Sequence, residues 1–266
     1  MVVKFTIVAV LIFLLAIFMT MVGKGGGNFY VLILIIADIA MHQAATTGQF
    51  ILFTASVSAL IIFQKNRKVV WPIALLIGIL TSVTAFLGGY CSHIFSGHIL
   101  KIIFIFFLFS SGILILIPVS SISKNQTKTT YGYWTVETEG KKYTINLGIV
   151  IPLTMLIGFG SGMSGVSGGS FLVPLLVLAC GFPMHIAAGT ASTLIAATAL
   201  MGFAGYAIQG DFNPGVALPL AVITIIGGIL GGKWALSTRP KNLKQLFAFS
   251  NIAAALFLLI HTIQTN

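Results

Sequence analysis

Charge is what this sequence has least of. Of its 266 residues 7% are charged, and only 4 are Asp or Glu. A soluble globular domain carries about 25% charged residues. So thin a supply cannot cover a water-facing surface, which excludes a soluble enzyme, a disordered tail and a nucleic-acid-binding domain. Cysteine is equally scarce. Cys91 and Cys180 both lie in apolar surroundings and make neither a disulfide framework nor a metal site. No metal or cofactor is expected. There is no G-x-x-x-x-G-K followed by Ser or Thr, so no ATP-binding loop, and no H-E-x-x-H.

What is abundant is apolar. Hydrophobic residues make up 58% of the chain, and its mean hydropathy is +1.08. One membrane span needs about 20 such residues. Long runs cover 1–22, 44–63, 71–91, 99–118, 145–162, 186–208, 215–233 and 243–263. Two more, 29–40 and 171–181, are too short to span comfortably and read as half-helices or re-entrant segments. The first run lacks an A-x-A cleavage site and is kept as a helix. Between the apolar runs, 119–144 gathers Lys124, Lys128, Glu137, Glu139, Lys141 and Lys142. This is a linker. Within it Trp134 to Ile145 alternates around Gly140, which permits either a small hairpin or a solvated loop.

The chain repeats itself. Met41-His42 falls on Met184-His185, a displacement of 143 residues, and Thr47 on Thr190, Gly88-Gly89 on Gly231-Gly232 and Leu100-Lys101 on Leu243-Lys244. The cluster Gly23-Lys24-Gly25-Gly26-Gly27 matches Gly165-Val166-Ser167-Gly168-Gly169 within one residue. Each half then reads long, short, long, long, long. Five crossings would place the second half upside down. The charges agree: Lys65, Arg67 and Lys68 follow the third element of the first half, and only Asp211 follows that of the second. Lys233, Arg239, Lys241 and Lys244 instead lie after the fourth element. Positive loops face the cytoplasm. The expected fold is therefore an all-α polytopic membrane protein of two inverted repeats of about five helical elements, each with one short or re-entrant segment. Its parts are a first repeat over 1–118, a cytoplasmic linker over 119–144 and a second repeat over 145–266. Both termini face outside a plasma membrane, against which Lys4 argues mildly.

Inverted repeats with interrupted helices are common in secondary transporters, which hold substrate near the midplane. The glycine clusters let backbone turn and approach a ligand, and helix N-termini bind anions. A helix starting near Ser170, with Pro174 in its first turn, and another starting at Pro183 would supply free N–H groups. The candidate substrate-binding residues are Gly25, Gly26, Gly27, Thr46, Thr47 and Gln49 in the first half. In the second they are Gly165, Ser167, Gly168, Gly169, Ser170, Thr190, Ser192 and Thr193. Together they would form one site for a small oxyanion. Thr190, Ser192 and Thr193 could instead bond their own helix carbonyls. Gly88-Gly89, Gly227-Gly228 and Gly231-Gly232 are read as close helix packing. Lys24 either attracts an anion or snorkels to the outer surface. The matched His42 and His185 either relay protons or make polar contacts at helix starts. Asp38 is either an intramembrane acid or a solvated interfacial one.

Gly165-Val166-Ser167-Gly168-Gly169, Pro174 and Pro183-Met184-His185-Ile186-Ala187-Ala188-Gly189-Thr190, with a degenerate copy in the first half, resemble the sulfite exporter TauE/SafE family of permeases. The likeness extends through Ser237-Thr238-Arg239-Pro240 to nearly the whole chain. Departures are Ser167 and Thr46, each in place of Gly, Ala191, where Ser is frequent, and Val31 or Leu32 in place of Pro. The resemblance implies transport of a sulfur oxyanion or organosulfonate, such as sulfite or sulfoacetate, usually outward. Two alternatives stay open. A passive anion channel would differ from a permease in turnover rate and in coupling to a proton gradient. An intramembrane enzyme has only Ser167 with His185 to build on. The expected partners are a small anion and the lipid bilayer, with no nucleic acid. The sequence leaves the oligomeric state, homodimer included, undecided.

Overall fold

The computed structural model describes residues 2–116, 132–165 and 168–264. Among the described residues ten α-helices and one β-hairpin follow one another. The first half contains α1 (Val2–Met21), α2 (Gly27–Ile36), α3 (Met41–Lys65), α4 (Trp71–Cys91) and α5 (Gly97–Leu116). The hairpin is β1 (Tyr133–Thr138) and β2 (Lys141–Asn146). The second half contains α6 (Leu147–Ser164), α7 (Gly169–Leu178), α8 (Met184–Ala207), α9 (Pro214–Ser237) and α10 (Pro240–Gln264). The long-short-long-long-long order holds in both halves. Among the described residues α3, α4, α6, α8 and α9 are long and apolar enough to cross a membrane. The chain is a polytopic helical membrane protein. Pro174 sits deeper than its expected place, at the sixth residue of α7, because that helix begins at Gly169.

The α4 and α9 helices face outward alike. Leu75, Ile79 and Val83 of α4 are exposed, and so are Leu218, Val222 and Ile226, their equivalents on α9. A row of large apolar side chains at helical spacing on an open face suits lipid. The opposite faces carry small residues. A methyl group on Gly88 or Gly162 would overlap the backbone of Phe159 or Ala85, so α4 and α6 touch backbone to backbone. Gly231 meets Ile17 of α1 in the equivalent way. Association of helices in lipid rests on such packing. The paired glycines are packing residues, as expected.

Contacts fix the helix directions. Phe13 lies by Gly227 and Ile17 by Gly231, so α1 and α9 run the same way. Ser58 and Ala55 by Gly228, and Ile62 by Gly232, align α3 with them. Gly158 by Thr81 and Gly162 by Ala85 make α6 parallel to α4, and Gly78 by Leu194 with Gly89 by Gly205 adds α8. Between the groups, Phe50 packs on Phe203, and Phe63 clusters with Ala188, so α3 and α8 are antiparallel. Equivalent helices of the two halves thus run in opposite directions. The halves interlock, α4 against α6 and α8, and α9 against α1 and α3.

Left-handed backbone positions recur at the same spacing within one residue: Gly23 with Gly165, Asp38 with Gly181 and Arg67 with Gly210. Asp38 is exposed, the interfacial reading of that acid.

The hairpin is the non-helical part. Glu139 and Gly140 both have positive φ, 50° and 70°, which gives the turn a twist matched to its strands. Val136 and Ile145 are buried, Tyr143 packs edge-on against Phe182 with centroids 5.0 Å apart, and Glu139 pairs with Lys68. The hairpin therefore caps the end of the bundle where α3 finishes and α8 begins. Of the 119–144 linker, residues 119–131 lie outside the described residues.

Candidate functional site

The short helices turn back on the long ones. At 10 residues each, α2 and α7 are about 15 Å long, half of an apolar bilayer core. Val31 packs on Gly48, while Gly25, before α2, reaches Ser56, so α2 climbs antiparallel to α3. Having descended parallel to α3, the chain reverses at Gly23–Gly26. In the second half α6 ends at Gly165. Gly23 and Gly165 adopt φ of 82° and 68°, and an added Cβ would lie 2.6 Å from Cα of Ala188 and 2.7 Å from Cα of Ala45, respectively. Only glycine combines that backbone with that proximity. Ala45 and Ala188 are equivalent residues, so each hairpin tip seats on the opposite half.

The first tip lies at mid-depth. A Cβ on Gly25 would contact Leu52 and Ile195, each the twelfth residue of its helix, in helices of 25 and 24 residues. These two residues are equivalent, so Gly25 sits beside the axis that relates the halves. Ser56 Oγ would lie 2.6 Å from that Cβ, and Tyr30 Oη 2.7 Å from one on Gly26. The Ser56 and Tyr30 hydroxyls are buried without a hydrogen-bond partner among the described residues, as are those of Thr20 and Thr193. Lys24, inside the tip, is 1% exposed. It does not snorkel to the surface, because the reversal of the chain encloses it. A buried lysine, donor hydroxyls and the start of α2 at Gly27 are thus gathered around glycine backbone.

The other candidates separate. Gln49 is buried and donates to the Ser161 carbonyl at 3.1 Å, tying α3 to α6. Thr46 and Ser192 donate to the carbonyls of His42 and Ala188, at 2.8 and 2.9 Å, so both bond their own helix. Thr190 accepts from the Val70 N–H at 3.1 Å, at the end of the bundle where α4 begins. Thr47 and Ser170 are buried. Gly168 caps α7 and Gly169 opens it. Ser167 lies outside the described residues. His185 touches the Thr238 carbonyl at 2.7 Å at one end of the bundle. His42 stacks on His93 at the other. The two histidines are equivalent but far apart, so any relay between them would have to cross the bundle.

Tyr30 and Ser56 are missed by reading the sequence. Tyr30 lies one helical turn after Gly26, and Ser56 stands between Thr54 and Ser58 on α3, where only the reversal of the chain into α2 brings it to Gly25.

The model of the family described as "Sulfite exporter TauE/SafE" matches residues 8–258. Among curated relatives, "Probable membrane transporter protein YunE" of Bacillus subtilis is 24% identical over 80% of this chain and 81% of its own. "Probable membrane transporter protein YdhB" of the same organism is 24% identical over 96% and 99%. "Probable membrane transporter protein MJ0441" of Methanocaldococcus jannaschii is 24% identical over 82% and 79%. No solved structure matches the chain. With a match that runs from within α1 to within α10, the chain belongs to the sulfite exporter TauE/SafE family and is a membrane transporter.

Proposed function

We propose that the protein is a secondary permease of the plasma membrane that exports a small anion, a sulfur oxyanion or organosulfonate such as sulfite or sulfoacetate. One observation carries this reading: the mid-depth tip at Gly25 that gathers Lys24, Tyr30 and Ser56. Buried polar groups are normally hydrogen-bonded, and those that are not mark functional places. An anion accepting from the Tyr30 and Ser56 hydroxyls and the first N–H groups of α2 would satisfy both hydroxyls. The opposite helix directions support an inverted repeat of 1–118 and 145–266 across the bilayer. The positive residues at the hairpin end support a cytoplasmic 119–144. Alternating access would then exchange the roles of the two tips.

Thermal melting of the purified protein with sulfite, sulfate, thiosulfate, sulfoacetate and taurine tests the substrate class. A ligand that binds only the folded state raises apparent stability by mass action. At least one sulfur anion should raise the melting temperature in a concentration-dependent way, where chloride at equal ionic strength does not. A flat response to all five overturns the reading.

A further inference from the structure

We infer that the end of the bundle opposite the hairpin holds a binding site for a divalent transition metal, built from His42, His93 and Asp211. These residues come from three places: the first turn of α3, the short turn Ser92–Ile94 after α4, and the link between α8 and α9. Each offers one ligand atom, and the three atoms lie within 4.8 Å of one another. His93 Nε2 is 2.7 Å from Asp211 Oδ2. The His42 and His93 rings stack with centroids 4.4 Å apart and planes 11° apart. His42 Nδ1 is buried without a hydrogen-bond partner among the described residues.

Two imidazoles and a carboxylate are a ligand set for Zn2+, Co2+ or Ni2+, not for Mg2+ or Ca2+, which prefer all-oxygen shells. Metal–nitrogen distances of about 2.0–2.1 Å require the ligand atoms to sit about 3.4 Å apart. Binding one ion would require the stacked imidazoles to turn out of their parallel arrangement toward a common point. The repeat does not impose the cluster. The residues equivalent to His42, His93 and Asp211 are His185, Leu236 and Lys68, which cannot chelate. Lys68 pairs instead with Glu139. The site is thus an addition to one end of an otherwise matched structure.

Full-length protein in detergent, freed of any affinity tag, is titrated with Co2+ and followed by visible absorption, then with Zn2+ in competition. About one Co2+ per chain should bind and be displaced by Zn2+ but not by Mg2+ or Ca2+. His93→Ala and Asp211→Asn should each weaken binding by about tenfold or more, at least the loss expected for an outer-shell partner. His93 is exposed and Asp211 half-buried, and metal-free melting curves would establish that the variants are folded. His98→Ala, in an exposed residue outside the cluster, should bind like wild type. Absence of binding to the wild-type protein, or equal binding by all three variants, overturns the assignment. Neither readout depends on the transported substrate.

Discussion

Gly25 and Gly168 both lie in the glycine clusters that precede the short helices, but the backbone asks different things of them. Gly25 has φ +69°, and a Cβ there would press on Leu52 and Ser56. Gly168 has φ −52°, and its Cβ would meet only the ends of Leu172 and Ser161, at 3.2 and 3.4 Å. Gly25→Ala should therefore cost about 1–3 kcal/mol as an overpacked core position, and Gly168→Ala less than about 1 kcal/mol. Denaturation of the two variants side by side checks the order. The Tyr30 and Ser56 hydroxyls permit a sharper test. Removing a buried hydroxyl that lacks a partner is neutral or stabilising, whereas removing a donor to a charged ligand costs about 1.5–3 kcal/mol. Tyr30→Phe and Ser56→Ala should keep or raise the melting temperature while weakening anion binding roughly tenfold to a hundredfold. Loss of stability with unchanged affinity would make the hydroxyls structural. The glycines of this region were legible in the sequence because they interrupt long apolar runs. Tyr30 and Ser56 were not, since Tyr30 reads as one aromatic of an apolar run and Ser56 meets Gly25 only through chain reversal. The burial of Lys24 was hidden for a related reason. A lysine beside an apolar run ordinarily reaches for water, and here the turn into α2 closes over it.

At the scale of elements, length and polarity made most helices readable, and ends were set by local chemistry. Asn146 and Asn213 cap α6 and α9 by accepting from Gly148 and Gly215 N–H groups, at 3.0 and 3.1 Å. The short run expected over 29–40 is a helix over Gly27–Ile36 that ends before the left-handed Asp38. The hairpin was one of two readings of its segment. Cross-strand partners such as Trp134 with Ile145, and packing on Phe182, decide in its favour, and that packing was invisible in the sequence. Its two attachments should differ in weight. The Lys68–Glu139 pair is solvent-exposed, with side chains 27% and 45% accessible. Exposed pairs contribute about 0–1 kcal/mol. Glu139→Gln should leave melting nearly unchanged. Gly140→Val puts a β-branched residue at positive φ in a two-residue turn and should unpair the strands. Limited proteolysis between 133 and 146 would read this directly: faster cleavage in Gly140→Val, wild-type cleavage in Glu139→Gln.

For the whole molecule, the charge pattern and the packing are independent, and together they predict an orientation. The positive residues Lys65, Arg67 and Lys68 lie at the end of the bundle that also holds the hairpin, the start of α8 and the finish of α9 by Thr238. Asp211 lies at the opposite end beside His42 and His93. Positive loops remain cytoplasmic during insertion, and acidic residues contribute little to that choice. With that orientation, the direction of each helix would assign every loop a side. Asn66 and Pro240 should face the cytoplasm, and Asp211 should face out. Single cysteines at these positions test the assignment in a background lacking the native thiols, of which Cys180 is buried and Cys91 half-buried. A membrane-impermeant maleimide added to intact cells should label the cysteine at 211. It should reach those at 66 and 240 only after permeabilisation. Reversed labelling of all three would leave the fold intact but invert the membrane orientation, and with it the cytoplasmic placement of 119–144. Labelling of 66 and 211 from the same side is the deeper failure. Both ends of the antiparallel pair α3 and α8 would then share one face of the membrane, which helices that cross it cannot do.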